Sequence, residues 1–263
     1  MEPIFLQDWN PAWLDRSQTR NKKPRITGIT SLIDRGMGLY SFEELLQLAG
    51  DYIDFIKLGF GTAAITPTDI LQKKIALARQ YQVDLYPGGT FFEVACEHGN
   101  VTTYFKTVKH FGFRWVEISD GTIEITLQKR SWMIQQAISH GLKVITEIGK
   151  KKANSFLPLS EFLSLYEHDL EQGASYVIIE GREDGKNVGL YDEQGQMDAD
   201  YVQQLIKYVN LNQVIWEAPQ KKQHIQLIKW IGNDVNLGNI PPSEVMSLET
   251  LRRGLRSDTF YFW

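Results

Sequence analysis

Ile145-Thr146-Glu147-Ile148-Gly149-Lys150-Lys151 is a β-branched run that ends on a glutamate and breaks into a loop through glycine and two lysines. Five further runs end in the same manner. They are Ile56-Lys57-Leu58-Gly59-Phe60-Gly61-Thr62, Val116-Glu117-Ile118-Ser119-Asp120-Gly121-Thr122, Ile178-Ile179-Glu180-Gly181-Arg182-Glu183, Ile215-Trp216-Glu217-Ala218-Pro219 and Val235-Asn236-Leu237-Gly238-Asn239. Short apolar runs that each leave through a polar residue into glycine, proline or threonine are how the parallel strands of an α/β barrel read. In that fold the groups that do chemistry stand at the carboxyl ends of the strands. The pattern predicts an enzyme with these residues gathered at one mouth.

Outward from this run, strand and helix patterns alternate from Arg25 onward. Strands are predicted over 26–33, 53–58, 83–86, 115–118, 143–148, 176–179, 213–216 and 234–237. Helices are predicted over 41–49, 68–81, 101–111, 128–140, 160–172, 199–209 and 221–231. Ser41 followed by Glu44 has the form of a capping box. Gly112, Gly141, Gly173 and Gly232 stand where left-handed helix C-caps are expected. Eight strands interleaved with helices favour a closed (β/α)8 TIM barrel, an α/β fold, over an open sheet.

The size of 263 residues suits one such domain. The division expected is an N-terminal arm over 1–24, carrying Trp9, Pro11 and Trp13, and a barrel catalytic domain over 25–263. The polar segment 183–197 reads either as an active-site lid or as a solvated insertion. A formal charge of −4 gives no reason to expect nucleic acid or an anionic membrane as partner. One cysteine, Cys96, excludes an intramolecular disulfide and reads as a small buried apolar residue. The N-terminus does not have the form of a signal peptide, and no run is long and apolar enough to span a bilayer. A cytoplasmic protein is the expectation.

Glu117, Glu147 and Glu180 end three consecutive predicted strands, and three hard oxygen ligands suit Mg²⁺. Ion pairing with strand-end cations such as Lys57 or Arg182 is the competing arrangement. Glu117 and Ser119 are expected to point one way and Asp120 the other. The cations Arg35, Lys57, Lys150, Lys151 and Arg182 crowd the same rim, which implies an anionic substrate. Lys221 and Lys222 also lie there, but read as exposed charges opening a helix. Two turns, at Gly88 and Gly89 and at Gly238 and Asn239, are candidates for holding phosphate through backbone N–H groups. All five histidines read as surface or packing residues.

The strand ends together closely resemble those of the phosphosulfolactate synthase family. The segments that carry the resemblance are Asp51 to Thr62, Tyr86-Pro87-Gly88-Gly89-Thr90, Glu117 to Thr122, Glu147-Ile148-Gly149-Lys150-Lys151, Trp216-Glu217-Ala218-Pro219 and Asn236 to Ile240. The resemblance implies a Mg²⁺-dependent addition of sulfite to phosphoenolpyruvate, giving (2R)-2-O-phospho-3-sulfolactate. It implies a lysine as general acid, with Lys150 the first choice and Lys151 its close competitor. It implies Glu117, Glu147 and Glu180 as metal ligands, with Glu217 in reserve. Arg35, Lys57 and Arg182 become candidates for phosphate and sulfite, and a homo-oligomer is the expected assembly, with the aromatic termini as contact surfaces. The family is also similar to plant heat-stress-associated proteins, so a non-catalytic barrel protein is one alternative. An enolate-stabilising barrel enzyme acting on another phosphorylated carboxylic acid is the other.

Overall fold

The computed structural model describes residues 9–152, 155–182 and 184–262. Its parallel strands are β1 (Thr30–Asp34), β2 (Phe55–Leu58), β3 (Asp84–Pro87), β4 (Trp115–Ile118), β5 (Lys143–Ile148), β6 (Tyr176–Ile179), β7 (Val214–Glu217) and β8 (Leu237–Ile240). Helices α1 (Leu39–Ala49), α2 (Thr62–Ile65), α3 (Thr68–Gln80), α4 (Gly89–Glu97) and α5 (Val101–Phe111) lie in the first half. The second half holds α6 (Leu127–Ser139), α7 (Leu159–Glu171), α8 (Ala199–Leu205), α9 (Lys221–Ile231) and α10 (Val245–Arg252). The hydrogen-bonded order β3-β2-β1-β8-β7-β6-β5-β4 runs round nearly the whole circle. The chain is the (β/α)8 barrel that its alternating pattern predicts. At the β3–β4 seam side chains take over: Trp115 Nε1 donates to Asp84 Oδ2 at 2.9 Å, and Gly89 N–H donates to Glu117 Oε1 at 2.6 Å.

Period-two alternation sorts each strand into two faces. Ile56, Val116, Val144, Val177 and Val214 turn outward into the large core shared with the helices. Phe55, Trp115, Ile145, Ile178 and Ile215 turn inward and form a separate apolar cluster inside the barrel. Burying each of these side chains contributes about 1.5–3 kcal/mol. Two residues further along the same five segments stand Lys57, Glu117, Glu147, Glu180 and Glu217, all buried. One rule of alternation therefore builds an apolar floor and a charged layer above it. Parallel pairing sets Glu117 level with Ile145 and Glu147 level with Ile178, the stagger that closes a barrel.

Several expected boundaries shift, each for a visible reason. β1 starts at Thr30 rather than at 26, because Gly28 turns the chain at φ +68° and its carbonyl is held by Arg20. β8 starts at Leu237 rather than at 234. Upstream, the carbonyls of Asn233 and Val235 go to the buried guanidinium of Arg252, and Asn236 Oδ1 accepts from Ile29 N–H. Ser41 is not a cap: α1 starts at Leu39 behind Gly38, and the capping box lies instead at Gln220 and Gln223 of α9. Gly112, Gly141 and Gly173 end helices at positive φ as expected, whereas Gly232 has ψ 171° and is no left-handed helical cap. Helices α2, α4 and α10 were not in the periodic reading.

The polar segment after β6 is neither a free lid nor a solvated insertion. Val188, Leu190, Tyr191 and Met197 are buried, and Tyr191 Oη donates to Glu217 O at 2.5 Å. In the N-terminal stretch, Lys23 Nζ is held by the carbonyls of Gly50, Tyr81 and Gln82, and Arg20 pairs with Glu249. Residues 14–24 are thereby tied to the barrel end opposite the charged layer. Trp9, Trp13 and Tyr261 remain exposed, while residues 1–8, Glu183 and Trp263 lie outside the described residues. No helix among the described residues is long and apolar enough to cross a membrane.

Candidate active site

A cavity of about 500 Å³ opens over the charged layer, at the carboxyl ends of the strands. A larger hollow at the other end, near Phe55, Trp115 and Tyr176, has its cations engaged: Lys23 by carbonyls, Arg25 by Asp54 and Arg114 by Asp84. The chemistry therefore belongs to the smaller cavity.

Lys57 stands at the centre of it. Its Nζ lies 2.6 Å from Glu217 Oε1, 3.1 Å from Glu117 Oε2 and 3.6 Å from Glu147 Oε2. Burial alone would lower the lysine pKa, but Glu117, Glu217 and Glu147 outweigh it and hold the ammonium charged. Lys57 is thus not a free anion receptor: the ion pairing that the sequence offered as the competing arrangement is the one found, with three carboxyl groups around its ammonium.

The two adjacent lysines separate. Lys150 Nζ turns away from the cavity and is bound by Asp120 O at 2.8 Å, Ile123 O at 3.0 Å and Glu124 Oε1 at 3.2 Å. Lys151 Nζ enters the cavity, 2.9 Å from Glu147 Oε1, 3.1 Å from Ser119 Oγ and 3.2 Å from Thr90 Oγ1. Lys150 was the first choice for the proton donor; the geometry favours its neighbour. Gly121 makes room for that side chain, since a Cβ there would lie 2.9 Å from Lys151 Cγ. Burial lowers the Lys151 pKa, and Glu147, Glu180, Glu93 and Glu117 together raise it further than burial lowers it. Ser119 points inward with Glu117, and Asp120 points the other way, toward Arg130 and Lys150, as strand alternation predicts.

The carboxylates divide as well. Glu147, Glu180 and Glu217 offer oxygens all within 4.8 Å of one another. Glu117 does not join them: its Oε1 accepts Gly89 N–H and its Oε2 faces Lys57. Glu217, held in reserve on the sequence, takes its place in the triad. Burial raises Glu117 to about 7, partly offset by Lys57. Glu147 goes the other way: burial raises it, but Lys151 and Lys57 pull it below the ordinary carboxylate range. Burial, Glu147 and Glu217 push Glu180 well above that range. Glu180 Oε2 is buried with no hydrogen-bond partner, which marks it as a free hard donor.

Arg182 lines the cavity, its Nη1 on Lys151 O at 3.0 Å. Arg182 and Asn239 both hold positive φ, at 60° and 55°, and Asn239 Nδ2 donates to Arg182 O at 3.0 Å. Such backbone is strained for non-glycine residues and clusters at functional sites. Asn239 Oδ1 is buried and unpartnered. Gly88 and Gly89 also line the cavity; a Cβ on Gly89 would sit 2.5 Å from Ser119 Cβ. Gly238 lies instead beside Glu217 in the ladder, with Ile215 packed where its side chain would be. Arg35 is not among the lining residues and lies over the Phe60 ring at 5.7 Å. No histidine lines the cavity.

Glu93 and Lys152 were not among the sequence candidates, whereas Thr90 closes the Gly88–Gly89 turn that was. Glu93 is buried on α4 and accepts Ser119 Oγ–H at 2.6 Å. Its one signal was its place one helical turn after Gly89, and α4 itself was not predicted.

Residues 18–258 match the family described as (2R)-phospho-3-sulfolactate synthase (ComA). Phosphosulfolactate synthase of Methanothermobacter thermautotrophicus is 43% identical over 242 residues, covering 91% of this chain and 94% of the relative. The protein of the same name from Methanocaldococcus jannaschii is 44% identical, over 89% and 94%. Among solved structures, 3-hexulose-6-phosphate synthase from Salmonella typhimurium superposes with a TM-score of 0.54 at 14% identity, covering 84% of this chain and 97% of that one. That likeness concerns the barrel alone.

Proposed function

The chain belongs to the (2R)-phospho-3-sulfolactate synthase family, and we propose that its cavity joins sulfite to phosphoenolpyruvate as a Mg²⁺-dependent carbon–sulfur lyase working in the synthetic direction. The observation that carries this reading is a lysine ammonium, Lys151, set 2.9 Å from the edge of a three-carboxylate cluster in one cavity. The reaction needs both parts: a proton for one carbon, and a site for the carboxylate on which charge develops.

The sulfur lone pair of sulfite attacks the methylene carbon of phosphoenolpyruvate and forms the carbon–sulfur bond. The carbon–carbon π pair moves onto the substrate carboxylate. It then returns to form a bond from the phosphate-bearing carbon to a proton from Lys151. Solvent restores that proton. Arg182 offers a guanidinium that no carboxylate neutralises among the described residues, suited to a phosphate or sulfonate. Lys57 holds the carboxyl groups of Glu117, Glu147 and Glu217 in place.

The donor set fits Mg²⁺: the oxygens of Glu147, Glu180 and Glu217 converge, and Glu180 Oε2 has no protein partner. These three residues would hold the ion. Bound there, it would supply Lewis-acid stabilisation of charge on the substrate carboxylate. A cytoplasmic homo-oligomer is the proposed setting, with the exposed Trp9, Trp13 and Tyr261 as contact surface; light scattering on the purified chain reads its mass.

The test is ³¹P NMR of the purified chain with phosphoenolpyruvate, sulfite and Mg²⁺, with and without EDTA. A new phosphate-ester resonance that needs both sulfite and metal is the expected result. Unchanged phosphoenolpyruvate with folded protein overturns the reading.

A further inference from the structure

We propose that Glu93, on α4, is a positioning residue that sets the direction of the hydrogen bonds around Lys151 through the hydroxyl of Ser119. The proposal deepens the synthase reading and rests on it for the identity of the proton acceptor.

Ser119 Oγ stands at a junction. It lies 2.6 Å from Glu93 Oε1, 2.8 Å from Glu147 Oε1 and 3.1 Å from Lys151 Nζ. A hydroxyl has one proton to give, so it serves one of the two carboxylates at a time. The shorter contact is to Glu93. While Ser119 donates there, its oxygen accepts from Lys151 and, at 3.2 Å, from Gly121 N–H, and Glu147 Oε1 is left for the ammonium alone. Lys151 then holds Ser119 and Glu147 with two hydrogens. Its third points to Thr90 Oγ1, the solvent-exposed contact of the three, where a substrate carbon can replace the threonine.

Without the Glu93 carboxylate the junction reverses. Ser119 turns its proton to Glu147 Oε1 and competes with Lys151 for that oxygen. The ammonium loses its fixed orientation while keeping its charge.

Packing does not explain Glu93. It is 2% exposed, beside Phe92 and near Cys96 on the buried face of α4, where an ionised side chain costs free energy unless it is used. Its Oε1 also lies 3.4 Å from Lys151 Nζ and from Thr122 N, while its Oε2 is buried with no partner. A carboxylate kept only for structure would have both oxygens satisfied.

The test uses the full chain with Glu93→Gln, Ser119→Ala and the double variant, reading kcat, KM for phosphoenolpyruvate and the solvent deuterium isotope effect on kcat. A misdirected donor is expected to lower kcat by about 10–100-fold. KM should move by less than about threefold, because uniform binding is untouched. The isotope effect should rise as proton transfer becomes slower, and the double variant should resemble either single one rather than their product. Glu93→Asp should recover part of the loss. A kcat near wild type with an unchanged isotope effect overturns the proposal. So does a rise in KM with kcat preserved, which would place Glu93 in substrate binding. A second readout needs no turnover: the exchange of the Lys151 ammonium hydrogens with solvent, followed by NMR of protein carrying ¹⁵N-lysine, should quicken in Glu93→Gln, and an unchanged exchange rate also counts against the proposal. Inert wild-type protein would instead sink the synthase reading, with the exchange experiment still deciding the role of Glu93.

Discussion

The ammonium of Lys57 at the end of β2 lies 2.6 Å from a carboxylate oxygen of Glu217 at the end of β7. The two residues are 160 positions apart in the chain. With Glu117 and Glu147 also within 3.6 Å of the same nitrogen, one buried cation answers three buried carboxylates. Lys57→Met should therefore destabilise the fold by about 3–5 kcal/mol, the usual cost of leaving buried charge uncompensated. Urea denaturation measures it. The double variant Lys57→Met/Glu217→Gln should recover part of that loss, and a single-variant effect under about 1 kcal/mol would contradict the central role given to Lys57.

Lys151→Met should lower turnover by about 10²–10⁴-fold, the contribution of a positioned general acid. Lys150→Met should lower it by about tenfold or less, through loosening of the loop at Asp120 and Ile123 that its ammonium clamps. Steady-state kinetics on both variants decide this. Equal losses, or the reverse order, would return the proton to Lys150.

Mg²⁺ at 100 times its dissociation constant should stabilise the wild-type chain by about 2.7 kcal/mol, if it binds only the folded state. Thermal denaturation with and without the ion reads this without any substrate. Glu180→Gln should abolish the increment, because it removes the free oxygen of the triad. An increment that persists in that variant would move the metal elsewhere.

His224 supplies the pH dependence that is simplest to isolate. Burial holds its pKa down at about 4, below the ordinary 6.5, and its Nε2 lies 2.6 Å from Ala218 O. The unfolded chain binds a proton there before the folded chain does. The sign is therefore stability that is present above about pH 6.5 and is lost as pH falls toward 4, by up to about 3 kcal/mol. Denaturation curves from pH 7 to 4 should slope less in His224→Gln than in wild type. Parallel curves would show that His224 takes its proton without cost.

The sequence pattern recovers β2 to β7 to within two residues at their ends; all of these but β3 carry the apolar run and polar exit that the barrel requires. It misplaced the starts of β1 and β8, where the decisive partners are the distant Arg20, Arg252 and Asn236 rather than neighbours in sequence. It missed α4, whose sequence Gly-Thr-Phe-Phe-Glu-Val-Ala-Cys-Glu opens on glycine and carries no capping side chain. Glu93 went with it.

By itself, then, the sequence determined which residues face the barrel interior. Alternation with period two is a property of the extended backbone, and it placed Lys57, Glu117, Glu147, Glu180 and Glu217 above an apolar floor without any tertiary information. Tertiary structure alone decided how those charges pair. Strand stagger and loop conformation set distances of a few ångströms, and in a buried site an ångström separates an ion pair from a metal ligand. It separated Lys150 from Lys151, exchanged Glu117 for Glu217 in the triad and engaged Lys57 with carboxylates. Sequence spacing cannot express those outcomes, since each depends on atoms brought together from different strands.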